Sequence, residues 1–341
     1  MEQNPSRRDA LKTLGAVPIA AGIRRFEIVS VGHDVRALQG QPQLALVSRH
    51  VQWTDIEDGA AAAAESGFRA IAWTCRGGAH ILPDNVRTEL PRAVEAARKA
   101  GLATPMLITS INGADTPGAE VIFDTMRKVG ITRYRAPNYR YDYTKDMQSQ
   151  FDALKPRVEA LAKLNEKYGV TAMFHTHSSQ GSVGGGLWDL WLLIRDYPPN
   201  LVAINYDIGH NTVRGGTEWN QTARYAHRHV GALSLKDMHW IRRADAPPDT
   251  WAWRHEFVVP GEGMVNFRDM FTYFKSVGFS GPLETYFEYM VDLGNGRSMN
   301  MLGTNRGQWQ LEMPRAQFIS LLKRDVTFYR NIFNSIGWNV G

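Results

Sequence analysis

The chain has 341 residues, of which 43% are hydrophobic, and this is enough to bury a large core. Its single cysteine, Cys75, excludes an intramolecular disulfide and with it a small scaffold held together by disulfides. The formal net charge of +5 comes from acids and bases mixed along the chain, and no basic run is long enough to indicate a nucleic-acid partner.

The N-terminus differs in composition from the rest of the chain. Arg7 and Arg8 lie in a polar segment that precedes a short, weakly apolar run over 14–23. This order resembles a twin-arginine export signal and predicts a periplasmic or otherwise exported protein; a disordered basic tail is the alternative. We assign residues 1–40 to this signal and lead-in and 41–341 to the folded domain. No apolar run approaches the roughly 20 residues of a membrane-spanning helix.

From residue 42 onward, short apolar runs alternate eight times with segments of helical periodicity. Within 147–168, for example, apolar residues recur at spacings of three and four, which is typical of one buried helix face. Eight β-then-α units predict an α/β protein, a single (β/α)8 TIM barrel. The predicted strands are 44–48, 68–74, 104–109, 132–136, 170–175, 201–206, 230–236 and 282–287.

Two predicted connections are much longer than the usual link between elements. They follow the seventh and eighth strands and span 239–264 and 289–314. The first contains Trp240, Trp251 and Trp253. Indole faces beside amide groups suit a polyhydroxylated ring, because the ring covers C–H groups while amides bind hydroxyls. The alternative is that these tryptophans pack the loops onto the barrel.

Polar side chains gather at the C-terminal ends of four predicted strands. In the sixth strand Asp207 shares a face with Asn205, and the same alternation places His175, Lys236 and Glu288 on equivalent faces. Since active sites of parallel barrels lie at these strand ends, we predict that the set lines a functional site. The alternatives are a helix N-cap for Asp207, a hydrogen-bonded barrel residue for His175 and an arginine partner for Glu288.

Lys236 and two further residues are expected at the mouth of the barrel. Partial burial is expected to lower the pKa of Lys236, so that it acts as an acid or as an electrostatic partner for an enolate. An ion pair with a neighbouring carboxylate is the alternative. Arg76 and His80 follow the second strand and are expected to donate hydrogen bonds to substrate oxygens from the opposite side, with solvent exposure as the alternative.

Several segments, in the same order along nearly the whole barrel, resemble the xylose-isomerase-like TIM-barrel superfamily of sugar isomerases and epimerases, specifically its exported branch. The resemblance implies an enzyme that moves a proton through an enediolate beside a sugar carbonyl, assisted by one divalent ion. The segments are 72–86, 174–178, 186–190, 206–210, 235–240, 260–265 and 281–289.

The resemblance also implies a ligand set for that ion, which the family typically holds with Glu, Asp, His and Glu from the fifth to eighth strands. Carried over, the Asp is Asp207 and the last Glu is Glu288, with Glu284 as a weaker candidate. His175 occupies the fifth-strand position and can still ligate as a neutral imidazole. The seventh-strand position falls on Ser234, a poor ligand, so nearby histidines are candidate replacements; these are His177 and His210.

The function expected from these residues is a metal-assisted sugar isomerase or epimerase that uses Mn, Mg, Zn or Co. A lyase or hydratase acting on keto-glycosides and a non-catalytic sugar-binding barrel are the alternatives. The partner is a small sugar or keto-sugar, and oligomeric state stays open. The expected roles are catalytic for Glu288, Lys236 and His210; substrate-binding for Arg76, His80, His177 and Trp240; and metal-ligating for His175, Asp207 and Glu288.

The export signal can be tested directly. Changing Arg7 and Arg8 together to lysine should retain the protein in the cytoplasm, because the pair is the defining feature of this signal class. Cell fractionation followed by immunoblotting measures the outcome. The pair Arg24 and Arg25, which follows the apolar run, is the matched control and should tolerate the same change. Unchanged fractionation of the first variant would remove the export prediction.

Overall fold

The computed structural model describes residues 41–341, so the predicted signal at 1–40 lies outside the described residues. Eight parallel strands close into a barrel, which confirms the predicted TIM-barrel fold. In chain order the strands are β1 (Leu44–Val47), β2 (Ala70–Cys75), β3 (Leu107–Thr109), β4 (Arg133–Ala136), β5 (Thr171–His175), β6 (Val202–Asp207) and β7 (Val230–Leu235), with β10 (Leu283–Thr285) as the eighth barrel strand.

Helices follow the strands and surround the barrel. They are α1 (Ile56–Glu65), α2 (Val86–Lys99), α3 (Ala119–Lys128), α4 (Met147–Tyr168), α5 (Trp188–Ile194), α6 (Ile208–Gly215), α7 (Trp219–Ala226), α8 (Phe267–Ser276) and α9 (Arg315–Ser335). The bounds of α4 match the predicted helix over 147–168, and Gly169 ends it with a φ of 61°. Within 41–341, none of the helices combines the length and apolarity that crossing a bilayer requires.

Side chains that point into the barrel are mostly small in its lower part. Ala203 of β6 and Ala232 of β7 belong to this inner layer, whereas their neighbours Ile204 and Leu233 pack outward against the helices. This alternation confirms the predicted strand parity. Going up the inward faces of β6 and β7, the alanines are followed by polar residues, so that the barrel is apolar below and polar at its C-terminal end.

The two long connections contain antiparallel hairpins that the sequence pattern did not predict. After β7 the chain forms β8 (Asp237–Arg242) and β9 (Trp253–Val258), and after β10 it forms β11 (Met290–Gly294) and β12 (Arg297–Asn300). Both hairpins rise from the C-terminal end of the barrel. They therefore stand at the same end as the predicted site.

Asp237 anchors the first hairpin to the barrel. Its buried carboxylate accepts backbone N–H groups from Gly261 at 2.8 Å, Gly263 at 3.0 Å and Val265 at 3.2 Å. A Cβ on Gly263 would lie 2.2 Å from Asp237 Oδ1 and 2.5 Å from the Met238 carbonyl oxygen, so only glycine allows this approach. One carboxylate thus closes the loop that follows β9.

Asp237→Asn should destabilise the protein by at least about 2 kcal/mol, because the amide puts a donor against backbone N–H groups that need an acceptor. The urea concentration at the midpoint of unfolding measures this change. Asp269→Asn, an exposed acid in α8, is the matched control and should stay within about 0.5 kcal/mol of wild type. Equal midpoints for both variants would contradict the anchoring role.

Candidate active site

A buried lysine stands at the centre of the polar cluster. The Lys236 ammonium donates to Glu288 Oε1 at 2.7 Å and lies 3.4 Å from Asp207 Oδ2. It also lies 3.0 Å from His210 Nε2. Lys236 is 2% exposed and Asp207 is fully buried, so these charges interact with little screening by water.

The two carboxylate oxygens of Asp207 make different contacts, one with helix α6 and the other with the polar cluster. Oδ1 accepts the backbone N–H of His210 at 2.8 Å and thereby caps the N-terminus of α6. Oδ2 accepts the Ser234 hydroxyl at 3.0 Å and lies 3.7 Å from His175 Nε2. The helix-cap interpretation of this aspartate is therefore confirmed, and its second oxygen faces the polar cluster. Ser234, in the seventh-strand position, orients the carboxylate.

The glycine of the Asp-Ile-Gly-His segment lets helix α6 start directly against the lysine. A Cβ on Gly209 would lie 2.4 Å from Lys236 Cγ and 2.7 Å from the Lys236 carbonyl oxygen. No other residue leaves room for this contact. Gly209 therefore helps to hold the lysine stem in place between β7 and α6.

The direction of the Lys236 pKa shift corrects the sequence-based expectation. Burial opposes the charged form, but the carboxylates of Asp207 and Glu288 outweigh it and raise the pKa of Lys236. The rings of Phe257 and Tyr286 each lie 4.9 Å from the ammonium and add a favourable cation–π contact. Lys236 is thus a fixed cation at neutral pH and cannot give up a proton easily.

Three histidines around the lysine are neutral. Burial and nearby positive charges lower the pKa of His175 and His210 well below the usual range, and that of His177 to about 4. Since the Lys236 ammonium donates to His210 Nε2, the His210 proton is on Nδ1 and is donated to Ser178 Oγ, 2.8 Å away. Both nitrogens of His210 are therefore engaged, one by Ser178 and the other by Lys236.

The His177 ring stacks on that of His210 with centroids 3.9 Å apart. Its Nδ1 accepts the backbone N–H of Ser179 at 2.9 Å, so its proton lies on Nε2. The side chain is only partly buried. His177 accordingly offers an N–H donor at the mouth of the barrel, as a substrate-binding residue requires.

A second polar layer lies beneath the cluster. Glu284 accepts a hydrogen bond from Asn205 Nδ2 at 2.5 Å, and its Oε1 lies 4.0 Å from Arg135 Nε. Arg135 also donates to the Tyr286 hydroxyl at 2.8 Å. Glu284 lies in this layer and not among the candidate ligands. The shared parity of Glu284, Tyr286 and Glu288 in the last strand placed Tyr286 on this face from the sequence, whereas sequence analysis missed Arg135, although the alternation within β4 could have placed it inside the barrel.

The remaining predicted substrate-binding residues are not all at the site. His80 is fully buried beside Trp73, with its Nε2 3.2 Å from the Thr54 carbonyl oxygen, so the expected substrate contact was wrong. Its imidazole fills the apolar packing next to β2. Arg76 follows β2 and is half-buried, and this burial lowers the pKa of its guanidinium. Trp240 lies on hairpin β8–β9, half-buried beside other aromatic rings.

Three groups are placed to hold a divalent ion. His175, Asp207 and His210 each offer one ligand atom, and the three atoms lie within 4.8 Å of one another. Neutral imidazoles and a carboxylate suit Zn²⁺ and similar ions, and the His210–Ser178 hydrogen bond orients one ring as metal-bound histidines require. Glu288, also predicted as a ligand, is bonded to Lys236 and stands outside this triplet.

Comparison with known proteins agrees with this architecture. A family model described as "Xylose isomerase-like TIM barrel" matches residues 60–302. An inosose dehydratase of Geobacillus kaustophilus (strain HTA426) is 27% identical over 138 residues, which cover 39% of this chain and 44% of the dehydratase. The chain thus matches less than half the length of this relative.

Solved structures share the fold at low sequence identity. D-psicose 3-epimerase of Clostridium cellulolyticum H10, crystallised with D-tagatose, has a TM-score of 0.58 at 14% identity, covering 85% of this chain and 99% of the epimerase. The structure of an IolI protein with a zinc atom has a TM-score of 0.58 at 13% identity, covering 87% of this chain and 99% of that protein. These similarities concern the barrel itself.

Removing the ammonium should destabilise the protein. In Lys236→Met, the buried Asp207 and the partly exposed Glu288 lose their cation, and breaking a buried ion pair typically costs about 3–5 kcal/mol. Because the folded pKa of Lys236 is raised, this stabilisation is fully present at pH 7, below the unfolded lysine pKa, and is lost as pH rises through the folded pKa. Urea unfolding at pH 7 measures it.

The control for this variant is Lys163→Met, which removes an exposed lysine paired with Glu159 on α4. Exposed pairs of this kind contribute about 0–1 kcal/mol, so the control should unfold close to wild type. An equally small effect for both variants would show that Lys236 does not balance the buried carboxylates.

Proposed function

Because the chain belongs to the xylose isomerase-like TIM barrel family, we propose that it is a sugar isomerase or epimerase that moves a proton at the carbon next to a carbonyl group. The observation that carries the proposal is the 2.7 Å contact between the Lys236 ammonium and the Glu288 carboxylate at the C-terminal end of the barrel. Such a reaction needs a base for the carbon acid and a positive charge for the enolate oxygen.

Glu288 is the proposed base. Its side chain is 23% exposed, whereas those of Asp207 and Glu284 are fully buried and hydrogen-bonded. Burial acts to raise the pKa of Glu288, but Lys236 outweighs it and the pKa is lowered, so the carboxylate is ionised at neutral pH. It can therefore remove a proton from the substrate carbon and return it to the neighbouring atom.

Lys236 and His177 are the proposed partners of the enolate oxygen. The ammonium stabilises negative charge without changing its own protonation state, since its pKa is raised. The neutral His177 donates from Nε2, which has the proton. Together they supply preorganised donors of the kind that stabilise oxyanions in enzymes.

A free or oxidised sugar is the proposed substrate class. Arg76 after β2 would offer a donor, and Trp240 on the first hairpin an indole face, to a polyhydroxylated ring. We further propose that the reaction takes place outside the cytoplasm, because of the arginine pair at Arg7 and Arg8.

A lyase or hydratase is the second candidate function, favoured by the 27% identity with an inosose dehydratase. Glu288 would take the same proton in that reaction. A hydroxyl group would then leave from the adjacent carbon and depart with that proton as water. The third candidate, a sugar-binding barrel without catalysis, predicts binding with no proton exchange.

A divalent ion is a second candidate source of positive charge. His175, Asp207 and His210 would hold Mn, Mg, Zn or Co, and a bound ion would polarise the substrate carbonyl. The zinc in the similar IolI structure supports this candidate. The residues of the chain act in the same way under either source: Glu288 moves the proton and His177 donates a hydrogen bond.

Solvent-deuterium incorporation into a panel of sugars and keto-sugars tests the proposal. We expect exchange at a carbon next to a carbonyl. An isomerised product would indicate the isomerase or epimerase, and a dehydrated product would indicate the lyase. Glu288→Gln should lower the exchange rate by at least about 100-fold, the usual contribution of a general base. Glu256→Gln, which changes a half-exposed acid paired with Arg254 on the hairpin, is the control. Binding without exchange would favour the non-catalytic barrel.

A further inference from the structure

We infer that the Lys236 ammonium occupies the position a divalent ion would take among His175, Asp207 and His210, and that it keeps the metal affinity of this triplet low. The inference concerns cation occupancy and does not depend on the reaction proposed above. It identifies Lys236 as the group that decides between the two cation sources.

The distances show that both cations cannot be accommodated together. His210 Nε2 and Asp207 Oδ2 are 4.0 Å apart, so an ion bonded to both at about 2.1 Å must lie close to their midpoint. The Lys236 ammonium is 3.0 Å from the first atom and 3.4 Å from the second. It would therefore lie within about 3 Å of the ion, where a single and a double positive charge repel strongly.

The lysine is also held so that it cannot easily move aside. Glu288 accepts a hydrogen bond from the ammonium at 2.7 Å, and the rings of Phe257 and Tyr286 each lie 4.9 Å from the nitrogen. Gly209 packs directly on the stem. With 2% of the residue exposed, no open solvent is available for the ammonium if an ion enters.

The triplet itself is otherwise prepared for a metal. Ser178 Oγ lies 2.8 Å from His210 Nδ1 and can accept the proton there, which leaves Nε2 free to coordinate once the ammonium is gone. Ser234 and the helix cap orient Asp207. A substitution that removes only the charge of Lys236 should thus turn a lysine site into a metal site.

The experiment compares chelator-treated full-length wild type with Lys236→Met and Lys236→Arg during titration with Zn²⁺ and Mn²⁺. Bound metal per chain and the midpoint of thermal unfolding are measured. We expect Lys236→Met to bind one ion at least about tenfold more tightly than wild type, within the range by which neighbouring groups change metal affinity. Its unfolding midpoint should rise with metal, because binding stabilises the folded state. Lys236→Arg should behave like wild type.

The double variant Asp207→Asn with Lys236→Met identifies the site of binding. Asparagine still caps α6 but removes the ligand oxygen, so the gained affinity should disappear. This also separates the triplet from adventitious zinc at His239 and Glu256, which are 3.6 Å apart on the hairpin. Lys236→Gln serves as a second charge-removing variant if Lys236→Met does not fold.

Two results would overturn the inference. One is that wild type binds an ion with the same affinity as the charge-removing variants and that this binding requires Asp207. The other is the absence of Asp207-dependent binding in every variant. Neither result depends on finding a substrate, so they are distinguishable from a failure of the proposed reaction.

Discussion

The burial of one ammonium group among carboxylates organises the C-terminal end of this barrel. An isolated lysine in this position would lose its proton, whereas Asp207 and Glu288 keep it charged. The same contacts order their neighbours, because the ammonium determines the tautomer of His210 and Asp207 also caps the helix that begins at Ile208. A change in the lysine therefore affects the helix cap, the histidines and the proposed base together.

The carboxyl groups of the cluster differ in burial and ionisation, and this difference suits the proposed chemistry. Glu288 is ionised and partly open, whereas Asp207 and Glu284 are buried, and burial raises the pKa of both carboxyls. The histidines are neutral because burial, and after it the nearby positive charges, lower the pKa of each ring. One accessible base next to one permanent cation suits proton transfer through an enolate, and the leaving group on the substrate then distinguishes isomerisation from elimination.

The hairpin β8–β9 contacts the same cluster around Lys236. It begins at Asp237, the residue after Lys236, and Phe257 on its second strand lies over both the ammonium and the ring of His210. Asp237 binds the loop that returns from this hairpin to the barrel. The covering element is thus tied covalently to the lysine at one end and by hydrogen bonds at the other.

The barrel and the parity of the site residues follow from the sequence alone. Strand and helix periods are local properties, so His175, Asp207 and Lys236 could be assigned to the inward face without coordinates. The family resemblance rested on the same local segments, and the matched family model confirms the family, whereas the exported branch stays a prediction.

Interactions between distant segments were decided only by the tertiary structure. The pKa of Lys236 is raised because Glu288, 52 residues away, comes within 2.7 Å. His80 is buried rather than facing substrate, and Arg135 lies in the layer beneath the site. Both positions likewise depend on contacts with residues distant in the sequence. Coulomb and hydrogen-bond energies depend on separations of a few ångströms across the barrel, and a local sequence pattern contains no information about those distances.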